Sequence, residues 1–210
     1  MTHVKICGLT RRQDVSLACE LGASYVGFVF AAESPRRVDI SSARQLSESV
    51  PPGVQRVGVF VDESYALIAR AVSEARLDLV QVHRLLRDED LEKIPAPVLT
   101  VARVEGGAAA VPSPELLARC QAIMFDTAGQ DRQGGTGRPF DWGLVARRKL
   151  PIPLFLAGGL DSGNVEAAIR QVHPYAVDVA SGVESEPGRK DLARMTEFFR
   201  AISQTDERAS

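Results

Sequence analysis

The sequence predicts an α/β fold, a single (β/α)8 TIM barrel in which residues 1–210 form one catalytic domain. Three observations predict it. Short apolar segments alternate eight times with segments of helical periodicity, which argues for parallel strands joined by helices, and eight repeats argue for closure into a ring. Several of the segments are apolar almost throughout, as in YVGFVF at 25–30, which is the pattern of a strand covered on both faces. The last two end in turns of small residues, Gly158-Gly159 and Ser181-Gly182, where such barrels often hold phosphate. At 210 residues the chain is short for this fold, so its loops must be brief.

The elements follow in order. Residues 2–6 form the first strand, closed by Cys7-Gly8, and Thr10 or Asp14 can start a helix that stops at Gly22. Residues 25–30 form the second strand. Its loop carries Pro35, Arg36 and Arg37, and the helix at 40–50 ends before Pro51-Pro52-Gly53. The third strand is 55–61, and the helix at 64–76 sets Leu67, Ile68, Ala71 and Val72 at helical spacing. The fourth strand is 79–83, with a short helix at 88–94. The fifth is 98–102, followed by a Gly/Ala-rich loop at 105–112 and a short helix at 114–119. The sixth, 122–125, ends at Asp126. The segment TAGQDRQGGTGRPF has no apolar periodicity and reads as a mobile loop. After a crossover at 141–149 comes the strand 153–157, and Asp161 or Ser162 offers an N-cap to a helix at 163–171. The eighth strand is 176–180, residues 183–187 can supply an extra helical turn, and the last helix spans 191–202. The tail QTDERAS is expected to fray.

Charged residues make up 25% of the chain and hydrophobic ones 45%, with a formal net charge of -2; this excludes a disordered chain. No basic cluster marks a nucleic-acid module, and no apolar run approaches the roughly 18 residues of a membrane span. Neither nucleic acid nor membrane is an expected partner. The start MTHVKICG enters a strand directly, without a signal peptide, so the expected compartment is cytoplasmic. Cys7, Cys19 and Cys120 are expected to be reduced, and His3, His83 and His173 lack paired ligand spacing, so no metal is expected.

Catalytic groups in such barrels come from the C-terminal ends of several strands. That rule selects Cys7, Arg36, His83, Asp126 and Asp178. A thiol can act as a base where nearby charge favours its thiolate, and a carboxyl can act as an acid where burial keeps it protonated. Each has a plainer alternative: Cys7 as a small buried hydrophobe, Asp126 as a loop cap, Arg36 as a solvated loop charge, His83 as a rim or packing residue. Asp178 lies in an otherwise apolar strand and needs a partner, such as Arg36 or a backbone amide. Amide groups of the two small-residue turns suit an anion.

In combination, VKICGLT, GFVF with SPR after it, RVGVFV, LDLVQVH, FDT, GGTG followed by FDW, LAGGL, and VDVASGVE with PGRKD resemble phosphoribosylanthranilate isomerase of tryptophan biosynthesis, over nearly the whole chain. The resemblance implies an Amadori rearrangement of N-(5-phosphoribosyl)anthranilate. It implies Cys7 as general base at C2, Asp126 as general acid for ring opening, and Arg36 as binder of the anthranilate carboxylate. Gly158, Gly159, Ser181 and Gly182 match the phosphate loops. Two proton transfers require no cofactor. Arg84 after His83, and Thr100 where Lys is common, depart from the family pattern, and GGTG at 134–137 reads as a lid. The expected partner is a phosphosugar substrate, and the expected state is a monomer or homodimer. The rival readings are another aminoaldose-phosphate isomerase, which resembles a two-aspartate site with Asp where Cys7 stands, and a non-catalytic phosphate-ligand binding protein.

Overall fold

The computed structural model describes residues 1–105, 108–127 and 141–209, so the GGTG segment lies outside the described residues. Eight parallel strands form the ring: β1 (His3–Ile6), β2 (Tyr25–Val29), β3 (Gln55–Phe60), β4 (Leu79–Val82), β5 (Val98–Glu105) and, past a short β6 (Ala108–Ala109), β7 (Ala122–Thr127), β8 (Leu154–Leu156) and β9 (Ala176–Val179). Each strand pairs with the next, and β1 pairs with both β2 and β9, which closes the ring. The helices are α1 (Arg12–Glu20), α2 (Ile40–Ser47), α3 (Tyr65–Glu74), α4 (Asp88–Leu91), α5 (Pro114–Ala118), α6 (Gly143–Ala146), α7 (Val165–Val172) and α8 (Leu192–Ala209). Among the described residues no helix is long and apolar enough to cross a membrane.

Side chains alternate across each strand, so one set meets the helices and the other fills the ring. Phe28, Phe60, Phe125 and Leu156 belong to the helix-side core together with Phe198 of α8. Fully burying each Phe stabilises the fold by roughly 2–3 kcal/mol. Inside the ring, Tyr25, Val57, Leu79, Leu99, Ala122, Phe155 and Ala176 form an apolar plug. Two residues further along, the inward positions include Lys5, Gln81 and Asp178; two further again come Cys7, His83, Arg103, Asp126 and Ala180. Polarity is thereby concentrated toward the C-terminal end of the ring.

Local signals account for most boundaries. The side chains of Asp39, Ser64 and Ser113 accept from the backbone N–H groups of Ser42, Leu67 and Leu116, which caps α2, α3 and α5. Five expectations change. The N-cap position of α7 is Asn164, and not Asp161 or Ser162. Neither Thr10 nor Asp14 caps α1: Arg11 holds the N-cap position, while Asp14 accepts from the Arg11 side chain and from Lys190 N. Residues 105–112 are not all loop, since β6 folds back antiparallel on β5 through Val104 and Ala109. The extra turn after β9 is a 3₁₀ turn at Ser181–Val183, followed by a hairpin of β10 (Glu184–Glu186) and β11 (Arg189–Lys190). The tail is helical through Ala209, because Asp206 accepts from Thr2 N at 2.7 Å and from Thr2 Oγ1 at 3.0 Å.

Candidate active site

Cys7 follows β1 directly. Its N–H donates to Val179 O at 2.9 Å, which continues the ladder one residue past the strand. The residue is buried with Val29, Ala31 and Val59. A Cβ built on Gly27 of β2 would lie 3.0 Å from Cys7 Sγ and 3.2 Å from Lys5 Nζ, so thiol and ammonium share the space above that bare backbone. The absence of a side chain at residue 27 admits both.

Lys5 Nζ has no solvent exposure and donates to Asp178 Oδ1 at 2.8 Å. This answers the question of the partner of Asp178: it is Lys5, and not Arg36. Burial pulls the Lys5 ammonium down, but the charge of Asp178, the Cys7 site and the hydrogen bond to Asp178 together hold it above its ordinary value. The Cys7 thiol is pushed up, by burial first; the Lys5 and Lys190 charges oppose that rise and Asp178 adds to it. The favourable charges expected around the thiol are therefore present, and burial outweighs them. In the ligand-free protein Cys7 is a protonated thiol at neutral pH.

Asp126 sits near the end of β7, facing Arg103 of β5 in the register. Round the ring, β7 is separated from β1 by β8 and β9, so Cys7 and Asp126 stand across the same mouth, at the same end and with inward parity. His83 follows β4 at the same level. Gln81 Nε2 lies 2.7 Å from His83 Nε2; for the amide to donate, that ring nitrogen must carry its lone pair. Burial, aided by the charges of Lys5 and Arg103, lowers His83 to about 4, so the ring is neutral and is no acid at neutral pH.

Arg36 reaches the site from the loop after β2. Its guanidinium forks onto Glu184, Nε to Oε1 at 2.9 Å and Nη2 to Oε2 at 2.6 Å. One edge is thereby occupied, and among the described residues nothing accepts from Nη1. The departure at residue 84 has a local role: Arg84 donates to Glu63 O at 2.8 Å and lies 4.6 Å over the Tyr65 ring. Thr100 shares its face of β5 with Val98 and Ala102 of the helix-side core and so belongs to the outer face of that strand.

The two small-residue turns meet. Gly158 and Gly159 have φ of +91° and +67°, a left-handed pair that side chains resist. Among the described residues nothing accepts from either of their N–H groups. Asp161 Oδ1 accepts from the N–H groups of Gly163 and Asn164, and Asn164 Nδ2 donates to Gly159 O, so Asp161 and Asn164 set the turn before α7. A Cβ on Gly182 would fall 2.0 Å from Leu160 O; the turn after β9 thus rests on the turn after β8. Lys5, Glu184 and Lys190 were missed in the sequence. The signal for Lys5 was its position two residues before Cys7 on one strand. Glu184 and Lys190 lie in the matched VDVASGVE and PGRKD segments but gave no local sign of burial.

The described residues hold no group of three or more metal-ligating side chains. Residues 4–201 match the family described as N-(5'-phosphoribosyl)anthranilate (PRA) isomerase. The chain is similar to the N-(5'-phosphoribosyl)anthranilate isomerase of Streptococcus gordonii, 43% identical over 202 residues that cover 96% of this chain and 98% of that one. It also resembles the crystal structure of phosphoribosyl anthranilate isomerase from Thermotoga maritima, with a TM-score of 0.82 at 37% identity, covering 97% of this chain and 100% of that one. A further structure, of phosphoribosyl anthranilate isomerase in complex with reduced 1-(o-carboxyphenylamino)-1-deoxyribulose 5-phosphate, matches with a TM-score of 0.78 at 35% identity, over 97% and 100% of the two chains.

Proposed function

The chain belongs to the N-(5'-phosphoribosyl)anthranilate isomerase family, and from that premise we propose that Cys7 and Asp126 carry the two proton transfers of its reaction. The reaction is the isomerase step of tryptophan biosynthesis, an Amadori rearrangement of N-(5-phosphoribosyl)anthranilate to 1-(2-carboxyphenylamino)-1-deoxyribulose 5-phosphate. Asp126 gives a proton to the furanose ring oxygen as the C1–O bond breaks, leaving a Schiff base between C1 and the anthranilate nitrogen. That cation acidifies the C2 hydrogen. Cys7, as thiolate, removes it; the electrons move into the C1–N unit, and the resulting enolamine tautomerises to the ketone. Each transfer contributes on the order of 10² to 10⁴-fold.

Positioning supplies the remainder. The turns at Gly158-Gly159 and Ser181-Gly182 take the phosphate through backbone N–H groups. Arg36 takes the anthranilate carboxylate on its Nη1 edge, and Asp178, whose Oδ2 accepts no hydrogen bond among the described residues, takes a sugar hydroxyl. The observation that carries this reading is the close seating of Gly182 on Leu160, which joins both phosphate turns at the end of the ring that bears Cys7 and Asp126. We take residues 1–210 as one catalytic domain working in the cytoplasm, where unpaired thiols such as Cys7, Cys19 and Cys120 persist.

Turnover is tested by fluorescence, with phosphoribosylanthranilate generated in situ. The wild-type protein is expected to consume it, and a rate equal to the blank contradicts the reading. Arg36→Ala is expected to weaken substrate binding by about 1.5–3 kcal/mol, the range for a hydrogen bond to a charged group. An unchanged KM removes Arg36 from the carboxylate subsite.

A further inference from the structure

Beyond the strand ends, the hairpin after β9 sends two charged side chains back under the site. Lys190 Nζ is wholly buried and uses all three of its N–H groups: to Cys7 O at 2.6 Å, to Ala180 O at 3.0 Å and to Glu184 Oε1 at 2.8 Å. The first carbonyl belongs to the base, and the second immediately precedes the Ser181-Gly182 turn. β1 and β9 pair only as far as Ile6 and Val179, with one further bond from Cys7 N. Past that point the strands part to open the mouth. An unpaired buried carbonyl is costly, and the ammonium binds both of those left by the parting.

Glu184 is also buried. Besides Lys190 it accepts from Gly188 N at 3.3 Å and from Arg36 through Nε and Nη2. Burial works to raise its carboxyl, and the Arg36 and Lys190 contacts outweigh that and hold it low. Burial also drags Lys190 down, but three acceptors at hydrogen-bond distance keep it an ammonium at neutral pH. The hairpin is tied to the start of α1 by Lys190 N to Asp14 at 3.1 Å and by Thr10 Oγ1 to Gly188 O. Buried ion pairs are often no more stabilising than apolar side chains of the same volume. Stability alone is therefore a weak reason for this pair.

We infer that Lys190 and Glu184 are positioning residues for the isomerisation: Lys190 fixes the Cys7 carbonyl and the phosphate turn, and Glu184 aims Arg36 so that its second edge meets the substrate carboxylate. The inference rests on the proposed roles of Cys7 and Arg36. The charged groups around the Cys7 thiol are Lys5 on its own strand, Asp178 on β9, Arg36 from the loop after β2, and Lys190 with Glu184 from the hairpin.

Steady-state kinetics across pH, with urea unfolding of each variant, test it. Glu184→Gln, which keeps the shape, is expected to raise KM tenfold or more with kcat within about threefold. Lys190→Met is expected to lower kcat tenfold or more and to move the rising limb of the pH profile to higher pH. A merely structural role would leave that limb in place. The double variant removes both of the buried charges and leaves Arg36, which keeps contact with solvent, as the cation without its partner, and both defects are expected to persist. A folded double variant with the wild-type kcat, KM and pH limb overturns the inference while leaving wild-type turnover, and so the proposed function, intact. Should either Lys190 variant fail to fold, Glu184→Gln decides alone, and a wild-type KM there overturns it.

Discussion

Cys7 is the residue at which opposing forces decide the response to pH. Burial raises the thiol, the ammonium groups of Lys5 and Lys190 oppose the rise, and the balance lies above the ordinary value. Below its pKa a thiol is protonated, so the thiolate fraction is small at pH 7 and grows close to tenfold per pH unit until that pKa is reached. With thiolate as the base, kcat/KM is expected to climb with a slope near one from pH 7 toward 9; a flat profile over that range contradicts the role given to Cys7. His83, already neutral above about pH 4, adds no step there. The places of Cys7 and Asp126 at strand ends were legible in the sequence because each closes an apolar run, which local pattern reveals. Lys5 was not, because its partner lies 173 positions away and only ring closure brings Asp178 beside it.

At the scale of elements, the two turns after β8 and β9 work as one unit. A methyl group at Gly182 would collide with the Leu160 backbone carbonyl, and backbone cannot yield as a flexible side chain does. Gly182→Ala is therefore expected to push the turns apart, raising KM for the substrate and weakening inhibition by inorganic phosphate by about tenfold each, the scale of one lost charge-assisted hydrogen bond. Unaltered phosphate inhibition in a folded variant contradicts the assignment of the anion to these turns. Helix positions were readable where a cap announces them, as Asp39 and Ser64 do. They were misread where a polar side chain near a helix start serves a distant segment: Thr10 and Asp14 bind the hairpin at 188–190 instead of capping α1. The helical tail escaped for the same reason, since the Thr2 contact that holds Asp206 joins opposite ends of the chain.

For the whole molecule, the count and order of eight strands came through because parallel strands covered on both faces are apolar along their length. What linear order hides is the layering inside the ring, an apolar plug followed by levels carrying Lys5, Gln81 and Asp178 and then Cys7, His83 and Asp126. That layering sets a thiol and a carboxyl on one rim, above a buried ion pair and beside the two small-residue turns. The central claim is that these two groups divide the proton transfers between them. It is tested most directly by single-turnover and steady-state rates of Cys7→Ala and Asp126→Asn on phosphoribosylanthranilate. The account predicts a loss of kcat on the order of 10² to 10⁴-fold in each, with KM nearly unchanged; turnover at the wild-type rate in either folded variant would contradict it.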